Sequence, residues 1–250
     1  MKVFTHIVKR IKSRFDSNVL ATRPFSDQFY SSVFRAATLE DIARFYQWES
    51  KPTINFTDFQ PVPFATYHLN GRRMKDAMLI GSAARNALKG DGIEIGTSTG
   101  VITSLIAENM SESIVHTLDI LPSQTNAGKH ITHTLEEDRI GATYRSRGLG
   151  NVRQYFCDSL NWLPEICEAS FAFIDGCHDF DYVVNDSIKI MKCLKKGAYL
   201  CWHDFNPDLS IQFPWILPVC NAIDHLIRSR VINTPVLYLQ DSFTGICRIE

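Results

Sequence analysis

Residues 92–108 read GIEIGTSTGVITSLIAE: a short apolar strand ending in an acid, a turn with glycines at Gly96 and Gly100, and then an amphipathic helix. In an α/β chain this arrangement accommodates a nucleotide-like ligand, because small residues let backbone amides approach it at a helix N-terminus. Two familiar ligand classes fit poorly. A dinucleotide fingerprint needs Gly-x-Gly-x-x-Gly, but counting from Gly96 this chain has Ser98 and Val101 at the second and third glycine positions. That argues against a nicotinamide-dependent oxidoreductase. A triphosphate loop needs Gly-Lys-Ser/Thr, whereas Gly100 is followed by Val101 and Ile102 and the turn holds no lysine. What remains is Glu94 beside a turn rich in hydroxyls (Thr97, Ser98, Thr99), a setting suited to a ligand carrying positive charge.

Four later segments extend the pattern. Ile114 to Asp119 reads as a second strand ending in an acid, 25 residues after Glu94; a carboxylate there can accept two hydrogen bonds from a vicinal diol. Val152 to Ser159 places Asp158 after a third strand. The fourth segment, Phe171 to His178, contains Phe-Ile-Asp-Gly-Cys-His, and Gly197 to Asp204 (GAYLCWHD) supplies a fifth strand with a polar end. Alternation of strands and helices implies a parallel sheet covered on both faces, with ligands at the carboxyl ends of the strands.

Over about residues 75–250 these ordered segments resemble the class I S-adenosylmethionine-dependent methyltransferases. Glu94-x-Gly96-x-x-x-Gly100 is the relaxed form of their first motif, and Phe173 to His178 is close to the signature of a small-molecule and sugar O-methyltransferase subgroup. The resemblance implies an α/β, Rossmann-like, seven-stranded and mostly parallel sheet with helices on both faces and a C-terminal antiparallel hairpin. It places S-adenosyl-L-methionine on Glu94, Gly96, Thr97, Ser98, Gly100, Asp119, Ile120, Asp158, Ser159 and Asp175. Asp119 would take the ribose hydroxyls and Asp158 the adenine amine.

The chemistry would lie with His178, His203 and Asp204. In-line transfer to a hydroxyl requires a held nucleophile and removal of its proton. In metal-dependent O-methyltransferases, which this region resembles, one ligand follows strand four and an adjacent pair follows strand five. Asp175, His203 and Asp204 match that spacing and form the expected metal set. A histidine in the pair disfavours magnesium and leaves manganese or another divalent ion. The competing reading makes His203 the general base, oriented by Asp204 or Asp175, with no metal. His178 could equally bond the loop after strand four, Asp158 could be a turn residue, and Thr97 and Ser98 could cap the helix that follows. His116, inside a strand, reads as structural.

Composition allows one large core: 250 residues, 45% hydrophobic, with a net charge of −1. Residues 1–75 carry 12 bases against 6 acids, and residues 76–250 carry 14 against 21. The basic excess is modest and lies away from the motifs, so a small-molecule substrate is expected and nucleic acid is not. Seven scattered cysteines with no Cys-x-x-Cys pair suggest reduced thiols in a cytoplasmic protein, and no apolar run suits an integral membrane protein.

Residues 1–74 read as a helical extension or cap, and residues 75–250 as the cofactor-binding domain. Within the extension, residues 1–15 form a basic amphipathic stretch suited to docking on the domain or on a partner copy, which would make a homodimer; lying on an anionic membrane or serving as an organelle transit peptide are the alternatives. Helices are expected over Thr38 to Trp48, about Asn70 to Leu88, Val183 to Leu194 (closed by Lys195-Lys196-Gly197) and Asn221 to Arg230. A hairpin is expected from Val236 to Ile249. Phe205, Phe213 and Trp215, with Tyr67 and His68, could wall an acceptor pocket or simply pack the core. A non-catalytic partner subunit with this fold is the alternative reading.

Overall fold

A computed structural model describes residues 34–59, 67–124, 134–166 and 168–250, with the side chains of 67–70 left out. The basic stretch 1–15 and the side chains of Tyr67 and His68 lie outside the described residues. Eight strands form one sheet: β1 Phe34–Ala37, β2 Gly92–Ile95, β3 Val115–Asp119, β4 Val152–Phe156, β5 Ala169–Ile174, β6 Leu194–Trp202, β7 Val236–Leu239 and β8 Gly245–Arg248. Their order is β1-β7-β8-β6-β5-β2-β3-β4. β8 runs antiparallel to both β6 and β7, and the other pairings are parallel. The expected parallel sheet with a terminal hairpin is therefore present, with one strand more than expected. That strand, β1, lies inside the span 1–74 and pairs with β7.

The helices are α1 Leu39–Tyr46, α2 Tyr67–Arg85, α3 Val101–Asn109, α4 Ala142–Ser146, α5 Phe180–Cys193 and α6 Leu217–Arg228. Alternation along the central strands separates two cores. Ala172 and Ile174 of β5 and Leu200 and Trp202 of β6 face α5 and α6, which supply Val183, Ile190, Ile223 and Leu226. Phe171, Phe173, Tyr199 and Cys201 face the other way, toward Ile42 and Tyr46 of α1, Leu79 and Ile80 of α2, and Leu105 and Ile106 of α3.

Local chemistry explains the boundaries. Thr38 starts α1 with a reciprocal capping box: its hydroxyl accepts from the Asp41 amide at 3.1 Å, and the Asp41 carboxylate accepts from the Thr38 amide at 3.3 Å. Lys195 to Gly197 do not close α5 as expected. They already belong to β6, which begins at Leu194 paired with Ala169 and becomes continuously apolar from Ala198. Among the described residues no helix is long and apolar enough to cross a membrane.

From β2 the chain proceeds outward to β3 and β4, then returns to the opposite side of β2 as β5. Strand order thus reverses between β2 and β5, where open α/β sheets leave a crevice for ligands.

Candidate active site

Gly96 stands at that reversal with φ +100°, and a Cβ there would fall 2.0 Å from the Asp175 carbonyl oxygen. Only glycine tolerates both the backbone and the approach. The Asp175 amide bonds the Ile95 carbonyl at 2.8 Å, and the His203 amide bonds the Ile174 carbonyl at 2.9 Å. The ends of β2, β5 and β6 are thereby tied together, carrying Glu94, Asp175, His203 and Asp204 to one place.

Glu94 is fully buried on the α3 side of β2. Its Oε2 accepts from the hydroxyls of Thr103 (2.6 Å) and Thr117 (2.5 Å), while its Oε1 has no hydrogen-bond partner among the described residues. Burial, together with the charges of Asp175 and Asp119 and against the two hydroxyl bonds, raises its pKa to about 8. Asp119, at the end of β3, accepts from the Ser98 amide at 2.6 Å through Oδ2 and from the Ile120 amide at 2.7 Å through Oδ1. Partial burial raises its pKa against these amide bonds.

The turn is therefore built to hold Asp119. Ser98 adopts φ +48° to aim its amide, and the Thr97 hydroxyl turns inward to Thr117 (2.6 Å) and Gln154 (2.9 Å). Neither hydroxyl caps α3. The N-cap is Gly100 at φ +83°, packed against Gly141, where a Cβ would lie 2.8 Å from the Gly141 Cα.

The second half of the site is an array of imidazoles and carboxylates. His203 Nδ1 lies 3.2 Å from Asp175 Oδ1 and 3.4 Å from Asp204 Oδ1, neither contact being an aligned hydrogen bond. His178 Nδ1 lies 3.0 Å from Asp204 Oδ2, and its Nε2 lies 3.5 Å from Asp175 Oδ1. The His178 side chain is 41% exposed and that of His203 is 26% exposed. Burial opposes the charged form of both rings, but the facing carboxylates prevail. Asp175 and Asp204 raise His178 to about 10, and the same two with Asp76 push His203 well above its ordinary value. Asp175, despite its burial, is held far below the usual carboxylate range by His203 and His178. Asp204 takes φ +53°, a left-handed conformation uncommon outside glycine, and its carboxylate is nearly buried.

Asp76 was missed by the sequence reading. It comes from α2 and its Oδ2 lies 3.6 Å from His203 Nε2. Its signal was available: Asp76 shares a helical face with Ile80 and Ala83, where burial makes an acid unusual.

Asp158 and Ser159 sit in a neighbouring network. Asp158 accepts from the Leu160 amide at 2.9 Å and from the Tyr182 hydroxyl at 3.2 Å, while Ser159 donates to Asp186 at 3.1 Å. His116 faces Tyr155 and Asp91 within β3, a structural placement. Phe205 is core, edge-on to Phe34 at 5.1 Å, whereas Phe243 lies beside His203 and Phe213 packs on Phe243, with Arg72 over both phenylalanine rings. Trp215 is about half exposed. An open depression of about 680 Å³ lies at the β4 edge, lined by Tyr144, Arg145, Gln154 and Phe156, and shares no residue with the imidazole array.

Among the described residues, no three His, Cys, Asp or Glu side chains are arranged to hold a metal ion. The donor atoms of the expected set Asp175, His203 and Asp204 are nonetheless adjacent, since Asp175 Oδ1 and Asp204 Oδ1 both lie beside His203 Nδ1.

Residues 93–205 match the family described as "Methyltransferase domain". Over this segment, less than half of the chain, the protein is similar to that family. Comparison with curated proteins finds no match. Among solved structures, the O-methyltransferase NovP is similar at TM-score 0.55 and 16% identity, over 70% of this chain and 80% of NovP. A Corynebacterium glutamicum protein is similar at TM-score 0.52 and 12% identity, over 99% and 98%. Cofactor-bound Rv0187 from MTB is similar at 0.51 and 14%, over 94% and 95%. At these identities the likeness is one of fold, and it is the class I methyltransferase fold that the sequence resembles. The matched segment begins one residue before Glu94 and ends one residue after Asp204, so its limits enclose the glycine turn and the imidazole array but leave out Asp76.

Proposed function

We propose that the protein transfers a methyl group from S-adenosylmethionine to a hydroxyl of a small-molecule acceptor, with His203 receiving the hydroxyl proton. The observation that carries this reading is the gathering of Glu94, Asp119, Asp175 and Asp204 at the ends of four neighbouring strands, the last two in contact with two imidazoles. These residues fit a sulfonium nucleoside. Glu94 offers a buried oxygen with no partner to a cationic group, and Asp119 is held by two amides at the strand end where a diol would be recognised. When bound, the cofactor supplies an electrophilic methyl carbon on a sulfonium.

The chain's own residues do the rest. Asp175 and Asp204 flank Nδ1 of His203, which is sealed from solvent, while Nε2 lies 3.6 Å from Asp76 Oδ2. His178 lies between the same two carboxylates and offsets their charge, so that positive charge entering the crevice favours release of the resting proton of His203 to solvent, which frees the ring to take the hydroxyl proton. The hydroxyl form of the acceptor is supported by these proton-accepting groups and by the fold shared with NovP, itself an O-methyltransferase.

The test is calorimetric titration with S-adenosylmethionine and its demethylated product, followed by turnover of a labelled donor on a panel of hydroxylated small molecules. Micromolar binding and labelled ether products are expected. Absence of binding to either compound, or binding of NAD in their place, would overturn the reading. Turnover is expected to survive exhaustive chelation; loss that a divalent ion restores would overturn the histidine route.

A further inference from the structure

Helix α5 turns a polar stripe on the loop that follows β4. Tyr182, Asn185, Asp186 and Lys189 recur at the spacing of one helical face, and each bonds within residues 158–160. The Tyr182 hydroxyl donates to Asp158 Oδ2 at 3.2 Å, and the Leu160 amide donates to Asp158 Oδ1 at 2.9 Å. Ser159 donates to Asp186 Oδ2 at 3.1 Å, while Lys189 Nζ donates to the carbonyls of Ser159 and Leu160 at 2.6 and 2.8 Å.

Such an array exceeds what closing a surface loop requires. Loops are ordinarily satisfied by water, whereas here a lysine and an aspartate are buried to hold three consecutive residues. The segment so held borders the crevice. The Cys157 amide donates to the Asp119 carbonyl at 3.0 Å, which sets Asp158 beside the strand end where a diol would be recognised. Asp186 also underlies the loop after β5, its Oδ2 lying 3.8 Å from where a Cβ on Gly176 would stand.

Two donors, one on each oxygen, fix the plane of the Asp158 carboxylate and leave each oxygen able to accept once more. A purine with an exocyclic amine supplies a further donor. A purine with a carbonyl in that place would set oxygen against oxygen and leave the carboxylate without its partner. We propose that Tyr182 is the positioning residue of Asp158 and through it gives the site a preference for a cofactor whose purine carries an amine, with Lys189 holding the backbone of the same loop. This inference rests on the methyl-transfer reading, and the two fail separately. Wild-type protein that binds neither S-adenosylhomocysteine nor S-inosylhomocysteine would overturn both, whereas wild-type protein that binds them equally would overturn only this inference.

The test is calorimetric titration of the full-length wild type, Tyr182→Phe, Lys189→Met and Asp181→Ala with these two nucleosides. Wild type is expected to bind the adenosine form about 30-fold more tightly or better, as sites built around a hydrogen-bonding group do. Tyr182→Phe keeps the ring and removes one hydrogen bond from the carboxylate. It should weaken the adenosine form by about tenfold and leave the inosine form within about twofold, a shift in preference that a merely structural role would not produce. Lys189→Met should reduce the same preference. Asp181→Ala, at an exposed position beside Tyr182 on the helix, should leave both affinities within about twofold. An unchanged preference in Tyr182→Phe, or equal weakening of both nucleosides, would overturn the proposal. Should Lys189→Met fail to fold, Tyr182→Phe decides the matter alone.

Discussion

Glu94 shows how burial sets the state of a single residue. An acid whose pKa rises from an ordinary unfolded value to about 8 binds its proton more tightly when folded. It therefore contributes stability at low pH that is lost as pH climbs from the unfolded pKa through 8, with a limiting slope of about 1.4 kcal/mol per pH unit. Glu94→Gln keeps the hydroxyl partners and removes the titration. Denaturant unfolding between pH 5 and 9 should show a flatter profile for the variant and a stability advantage that grows toward pH 9, accompanied by weaker cofactor binding. His203 titrates with the opposite functional consequence. Because its neighbours hold it protonated near neutrality, the unprotonated base increases with pH, and kcat/KM should rise by up to tenfold per unit above pH 7. His203→Asn should remove that rise and lower kcat by about 10²- to 10⁴-fold, measured by steady-state kinetics across the same range.

Among the elements, the turn after β2 has the least freedom. Gly96→Ala places a Cβ against the Asp175 carbonyl at a positive φ, so backbone strain and a steric clash act together. A loss of about 2 kcal/mol or more is expected in chemical denaturation, along with loss of cofactor binding, because the strands carrying Glu94 and Asp175 must separate. At α1 the effect is smaller. Thr38→Ala removes one half of the capping box and should cost about 1 kcal/mol by the same measurement. The sequence made these elements legible wherever one local rule decided them: the glycine turn, the capping threonine, the apolar strands, and the hairpin from Val236. It did not reveal β1, whose four residues Phe34–Ala37 are too few to show a period and become a strand only because β7 offers an edge. The acids after β2, β3, β5 and β6 were legible from order and spacing. Asp76 was not recognised, since its role depends on a turn 166 residues away that no local pattern connects to it. Asp158 was legible as a polar strand end, yet its bonds to Leu160 and Tyr182 arise from tertiary packing.

At the scale of the whole molecule, the described part of the N-terminal segment is built into the domain. β1 completes the sheet beside β7, Phe34 meets Phe205 at 5.1 Å, and Asp58 from the short turn before α2 pairs with Arg147, which also reaches Glu108 of α3 at 3.2 Å. Tyr46 of α1 and Trp48 pack on Tyr199 of β6, inside the core shared with α2 and α3. A chain starting at residue 75 would lose β1, α1 and the first turns of α2. All four residues of β7, now buried, would line an open edge, and Phe205 and Tyr199 would lose aromatic partners. An exposed apolar edge invites pairing between copies, and removal of this much buried surface exceeds the margin by which domains of this size are stable. The truncated chain is therefore expected to give poor soluble yield, association in size-exclusion chromatography and a broad thermal transition. If residues 75–250 instead remained monomeric and unfolded cooperatively within a few degrees of the full chain, the N-terminal segment would be an appendage.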